Sequence, residues 1–288
     1  MLNKKSWCEK IGGLRGFSAV SLFPSFSRYF NYMDRLWNVS CEIISSITKI
    51  EASSSSELCY KGIAWMTTGK CLKSFLAIEH LIKLGFHQDT LVLLRSMLES
   101  MINLFYISED PVERAERFVR YVEVESRRFL YVSKEVYGEI SLLSGHDSRI
   151  KEIEEAVCSF KSEYDPDSRK PSTWSGITIF DMAKRAGLED IYKTFYKLQS
   201  QHVHGSPRAL ESYIEDRQEG LALVLVPDQR EESLYMNIIM HACYVLICVV
   251  DKLEDAFNKE EKEIAPLMEE CKELFKGIGV RASQVSPE

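Results

Sequence analysis

The sequence predicts an all-α protein: a multi-helix bundle of mostly antiparallel long helices, with at most one short strand or hairpin near 221–226. Three observations point there. Apolar residues recur at three- and four-residue steps along most of the chain, the period of a helix with one buried face. The breaks between periodic stretches carry Gly, Pro, Ser or Asp where helices end or start. The connections between them are short, and short connections between long helices favour antiparallel neighbours.

Taken in order, Phe26, Tyr29, Phe30, Met33, Leu36, Trp37 and Ile44 mark an amphipathic helix within 25–51. The run Ser53-Ser54-Ser55-Ser56 then reads as a short linker or an N-cap. A second helix over 57–84 ends on Gly85, a natural C-cap residue. Asp89 is placed to cap the next, which carries Leu91 to Ile107. Asp110-Pro111 starts a helix to about Tyr137, with proline at its first position. Residues 140–164 read as helical with a break around Ser144-Gly145-His146-Asp147, and 165–176, with two prolines, as a loop. A short helix over 179–186 ends at Gly187, and a longer one spans 189–204, ended by Gly205 and Pro207. Residues 208–216 suit a further short helix. Leu221 to Val226, apolar between Gly220 and Pro227, reads as a strand, half of a small hairpin, or an extended loop over the core. A long helix over 231–257 and a charged one over 260–275 complete the chain.

With 288 residues the chain can bury a sizeable core. We expect a loose leader over 1–20, one helical domain over 21–276 and a mobile tail over 277–288. A net charge of −7 argues against non-specific binding of DNA or RNA, which needs a basic surface, but leaves room for a local basic pocket. The cysteines form no C-x-x-C pair, and charges interrupt the first apolar residues, so a reduced cytoplasmic protein is expected. No membrane span is expected either. The longest apolar run, Met236 to Val250, contains His241 and is shorter than the roughly 20 residues a span requires.

The unusual chemistry lies in two stretches. Leu91 to Ile107 is apolar nearly all round, as a central helix is, except for Arg95 and Glu99. Four residues apart, these share a face and must be paired or face a wet cavity. They form either an internal Arg–Glu bridge or a polar site completed by groups from other helices. In 189–204 the stripe Ile191, Phe195, Leu198, His202 points His202 toward the core, where a satisfied core histidine is the plain reading. His204 falls in the last turn, where the negative helix end favours the imidazolium and would suit either proton transfer or capping.

Glu-x-x-His pairs, which a di-iron bundle requires, are absent, and no metal or cofactor is expected. Glycine loops for phosphates and a Gly-x-Ser-x-Gly elbow are also absent. Arg114, Arg117, Arg120, Arg127 and Arg128 interleave with Glu113, Glu116, Glu123 and Glu125, the pattern of a solvated, salt-bridged face.

Three pieces carry a resemblance. The first is Ser74-Phe-Leu-Ala-Ile-Glu-His-Leu-Ile-Lys-Leu-Gly-Phe-His with Leu93-Leu-Arg-Ser-Met-Leu-Glu99 and Asn103-Leu-Phe-Tyr-Ile107. The second is Lys170-Pro-Ser-Thr-Trp-Ser-Gly176 with Asp181-Met-Ala-Lys-Arg-Ala-Gly187. The third is Tyr196-Lys-Leu-Gln-Ser200 followed by His204-Gly205-Ser206. Over roughly 60–260 the chain resembles a bacterial, all-helical family known as domain of unknown function 5677. That resemblance implies Arg95, Glu99, Ser200 and His204 as the recurrent polar residues. More distantly, the chain is similar to HEPN-type helical ribonucleases of toxin–antitoxin and anti-phage systems. Those use an arginine and a histidine on one helix, usually in a dimer. Here the positions four to seven before His204 hold Ser200, Gln199, Leu198 and Lys197, so the arginine would come from another helix.

The resemblance implies a metal-independent endoribonuclease of a stress or anti-phage response, acting on RNA as a homodimer. His204 or His202 would be the acid/base, Arg95 the charge stabiliser and Glu99 its orienting partner. The alternative is a non-catalytic helical module that binds a protein partner. In it, Arg95, Glu99 and the histidines would form a buried network fixing helix register.

Overall fold

The computed structural model describes residues 26–137, 147–164, 173–197, 199–200, 206–211, 213–217, 220–223 and 232–276. The expected leader over 1–20, the tail over 277–288, His202, His204 and residues 224–226 lie outside them. The protein is all-α. Its elements are α1 Ser27–Ser46, α2 Ser55–Lys83, α3 His87–Ser108, α4 Pro111–Tyr137, α5 Asp147–Tyr164, α6 Ile179–Arg185 and α7 Glu189–Ile191 with a π turn Tyr192–Tyr196. They continue with α8 Pro207–Glu211, β1 Ile214–Arg217, β2 Gly220–Leu223, α9 Glu232–Ala256 and α10 Ala265–Leu274. Contacts divide the chain into two compact units: unit 1 from 1–48, 64–101 and 190–288, unit 2 from 49–63 and 102–189.

Local chemistry accounts for the helix ends. At the start of α2, Ser54 Oγ accepts from the Glu57 N–H at 3.1 Å, and the Glu57 carboxylate accepts from the Ser53 N–H at 2.7 Å. Its end closes on Gly85 at φ 85°, with the Phe86 N–H on the Leu81 carbonyl and the Gly85 N–H on that of Ile82, both at 2.9 Å. Helix α3 already begins at His87, so Asp89 lies in its first turn and does not cap it, contrary to the sequence expectation. Asp110 does cap α4, accepting from the Glu113 N–H at 3.4 Å. Thr178 caps α6, its hydroxyl accepting from the Asp181 N–H at 3.1 Å.

The expected hairpin sits a few residues earlier than 221–226. Ile214 pairs with Leu223 and Arg217 with Gly220, antiparallel. The short helix expected over 208–216 stops at Glu211, because the chain is already extended from Ile214.

In unit 1, α9 supplies the apolar centre: Ile239, Ala242, Cys243, Val245, Leu246, Val249, Val250 and Leu253 are all fully buried. It packs on α1 and α10. Tyr32 of α1 buries its ring and donates to the Leu267 carbonyl at 2.6 Å, and Tyr29 stacks on Phe275 with centroids 5.5 Å apart. The buried Glu254 carboxylate accepts the N–H groups of Glu263 at 2.9 Å and Ile264 at 3.2 Å, so its charge is met by backbone dipoles at the entrance to α10.

The apolar run Met236 to Val250 forms the middle of the longer helix α9. The run lies inside a helix of 25 residues, and α3 and α9 are both long and apolar enough to cross a membrane. Of their most apolar stretches, 56% and 61% are buried inside the fold, as in a core helix.

In unit 2, α4 and α5 pack together antiparallel. Arg120 reaches Ser159 and Glu163, whereas Arg127, further along α4, reaches back to Glu154. Trp174 is buried edge-on against Phe118 at 5.0 Å and Tyr106 at 5.7 Å, its indole N–H on Asn103 Oδ1 at 2.8 Å. Gly176 follows at φ 72°, where a Cβ would lie 2.8 Å from Arg117 Nη2. The guanidinium can swing aside, but a left-handed backbone still strains an L side chain. Gly176→Ala is therefore expected to cost about 1–2 kcal/mol, read as a lower urea midpoint with an unchanged slope.

Candidate functional site

Within unit 1, α3 buries Leu91, Leu94, Met97, Leu98 and Met101, while Arg95 and Glu99 are half-buried on one face. The segment that meets them is α7 and its π turn. There the Lys197 N–H bonds back five residues to the Tyr192 carbonyl. The extra residue in that turn shifts the inward face by one position, about 100°, from Phe195 to Tyr196.

The first two positions of the expected stripe, Ile191 and Phe195, depart from it. Ile191 and Phe195 are only half-buried, and the residues that go inside are Tyr196, 5% exposed, and Gln199, 4% exposed. Leu198, His202 and His204 lie outside the described residues, and Ser200 is half-buried one turn beyond Tyr196.

Tyr196 joins the two charges of α3. Arg95 Nη2 donates to the phenol oxygen at 3.0 Å, and the phenol donates to Glu99 Oε2 at 3.2 Å. The Arg95 guanidinium carbon lies 4.9 Å from the ring centroid, within cation–π range. The Tyr192 ring stacks on that of Tyr196, centroids 4.8 Å apart. Burial, and then the Glu99 carboxylate, push the Tyr196 phenol above its ordinary value while Arg95 opposes them, so it stays protonated and able to donate.

Two polar atoms here lack partners among the described residues: Arg95 Nε and Gln199 Oε1, both buried. A buried polar atom left unsatisfied costs about 1–3 kcal/mol, so each calls for an explanation. Tyr196 and Gln199, three residues apart, are the buried members of one helical segment. The arrangement holds a cation in place through a neutral hydroxyl, a chemistry suited to an anionic oxygen. Among the described residues no group of three or more His, Cys, Asp or Glu side chains could hold a metal ion.

Tyr196 is the residue that sequence reasoning did not single out. A regular helix puts Phe195 rather than Tyr196 on the buried stripe, so periodicity gave no signal for it, although a buried phenol always needs a polar partner. His241 was noted only as an interruption of the apolar run. It is buried in α9, its ring centroid 3.4 Å from that of Phe195. Its Nδ1 faces the Asn237 carbonyl and so carries the proton.

Burial pushes the His241 imidazole down to about 4 from an ordinary 6.5. Between these values the unfolded chain binds the proton and the folded one does not. Stability is therefore fullest above about pH 6.5, falls as the pH drops through that window, and levels off below about pH 4. The expected loss is about 3 kcal/mol, and His241→Leu should flatten that part of the curve in denaturation at a series of pH values.

No curated protein and no solved structure matches the chain. A family model does match, over residues 63–221, a stretch that takes in Arg95, Glu99, Tyr196, Gln199, Ser200 and both His202 and His204. With more than half of its 288 residues matched, the chain belongs to the family of unknown function DUF5677.

Proposed function

We propose that the chain is a HEPN-like, metal-independent endoribonuclease, working in the cytoplasm as a homodimer in a stress or anti-phage response. The observation that carries this reading is the meeting of α3 with the segment that leads to His204. Tyr196, eight residues before His204, lies within hydrogen-bonding distance of both Arg95 and Glu99.

In this reading His204, or His202, takes the proton from an RNA 2′-hydroxyl or gives one to the leaving 5′-oxygen. The 2′-oxygen bonds to phosphorus as the P–O5′ bond breaks, leaving a 2′,3′-cyclic phosphate and a 5′-hydroxyl. Arg95 faces the negative charge that builds on the phosphoryl oxygens, and Glu99 orients Arg95. Ser200, four residues before His204 in the sequence, serves as a hydrogen-bonding group for the backbone of the substrate. The net charge of −7 confines RNA recognition to this local cation.

A second reading has its own support. The Tyr196 phenol is buried and uses its oxygen both to accept from Arg95 and to donate to Glu99, as in a core network that fixes helix register. The chain would then be a non-catalytic module for a protein partner.

Incubating the purified protein with RNA, with and without a chelator, separates the two. The ribonuclease reading expects equal cleavage in both, lowered about 10²–10³-fold by Arg95→Ala and abolished by His204→Ala with the melting temperature kept. No cleavage under either condition sinks it. The network reading instead expects Arg95→Ala and Glu99→Ala each to lower the melting temperature by several degrees, on the order of 2–4 °C per kcal/mol lost.

A further inference from the structure

We propose that Tyr196 is the positioning residue of the Arg95 site: its hydroxyl, tied to Glu99, sets the direction in which the guanidinium meets a phosphodiester oxygen. The inference rests on the ribonuclease reading and assigns a role to a residue which that reading leaves aside.

The direction of each bond in the chain is fixed by chemistry. An ionised carboxylate only accepts, so the phenol must donate its single proton to Glu99 Oε2, 3.2 Å away. A guanidinium only donates, so the phenol oxygen must accept from Arg95 Nη2, 3.0 Å away. Neither bond can reverse. The ring is 5% exposed and stacked on Tyr192, which leaves the phenol little freedom to turn. The guanidinium is thus clamped at one nitrogen and against one ring face, with Nε unpartnered among the described residues.

The phenol also changes what Glu99 does to the cation. A carboxylate clamped directly on a guanidinium occupies two of its donors and cancels much of its charge at short range. A neutral hydroxyl in between uses one donor and keeps the anion one group further away. The other terminal N–H donors then stay available to a phosphoryl oxygen, while the buried Nε does not. The π turn is the structural source of this geometry, since it brings Tyr196 inside, and Phe195, the expected member of the stripe, is left half-buried.

Steady-state cleavage of RNA by the full chain tests this. Tyr196→Phe keeps the ring and removes only the oxygen that holds Arg95. It is expected to lower kcat about 10²-fold, with KM and the melting temperature close to wild type. Glu99→Gln keeps an acceptor for the phenol but no charge, and should lower kcat about tenfold. Wild-type kcat in Tyr196→Phe, or a loss of kcat that only tracks a loss of melting temperature, overturns the role of Tyr196 and leaves the ribonuclease reading standing. Should Tyr196→Phe fail to fold, Glu99→Gln decides: lowered kcat at native melting temperature supports the proposal, and unchanged kcat ends it. A wild-type protein that cleaves no RNA removes both readings together.

Discussion

A charge placed in an apolar helix has to be answered by the protein around it, and most of the chemistry of this chain follows from that requirement. Helix α3 carries Arg95 and Glu99 beside the buried apolar residues Leu91, Leu94, Met97, Leu98, Met101 and Ile102. At half burial each still has to be met by a polar partner or by water. The answer comes from a segment about a hundred residues later in the chain, where Tyr196 takes a hydrogen bond from one and gives one to the other. This pairing makes α3 and α7 partners, and it makes their meeting place a polar spot inside an apolar unit.

The π turn over Tyr192–Tyr196 is the local distortion that permits this. A helix that winds five residues into one hydrogen-bonded loop loses some packing quality, and such turns gather at functional positions for that reason. Here the return on that cost is a rotated face, with Tyr196 and Gln199 buried and Ile191 and Phe195 left at the margin. Gln199 Oε1 and Arg95 Nε, buried without partners among the described residues, mark the same neighbourhood as incompletely satisfied.

Other buried charges in unit 1 are handled differently, and the contrast is informative. Glu254 is met by two backbone N–H groups at the start of the turn into α10, and the buried Glu79 by Lys83 one turn along α2. In both the opposing charge or dipole lies within ten residues of sequence. The Arg95–Tyr196–Glu99 chain is long-range. It therefore constrains tertiary structure, and where capping is only local this chain draws on two separate helices.

The sequence alone determined the helical class, most helix boundaries and the position of the hairpin to within a few residues. Those features depend on short-range chemistry: apolar periodicity, a serine run before Glu57, Asp110 ahead of Pro111, and Gly85 and Gly187 with positive φ. It also singled out Arg95 and Glu99, because two charges in an apolar helix are conspicuous without any coordinates. Only the tertiary structure decided what answers them. A π turn leaves no periodic mark in a sequence, so the assumption of a regular helix pointed to Phe195, whereas an offset of one residue brought in Tyr196. The physical reason is range: caps and stripes are written within a few residues, but a hydrogen bond that spans about a hundred exists only once the chain has folded.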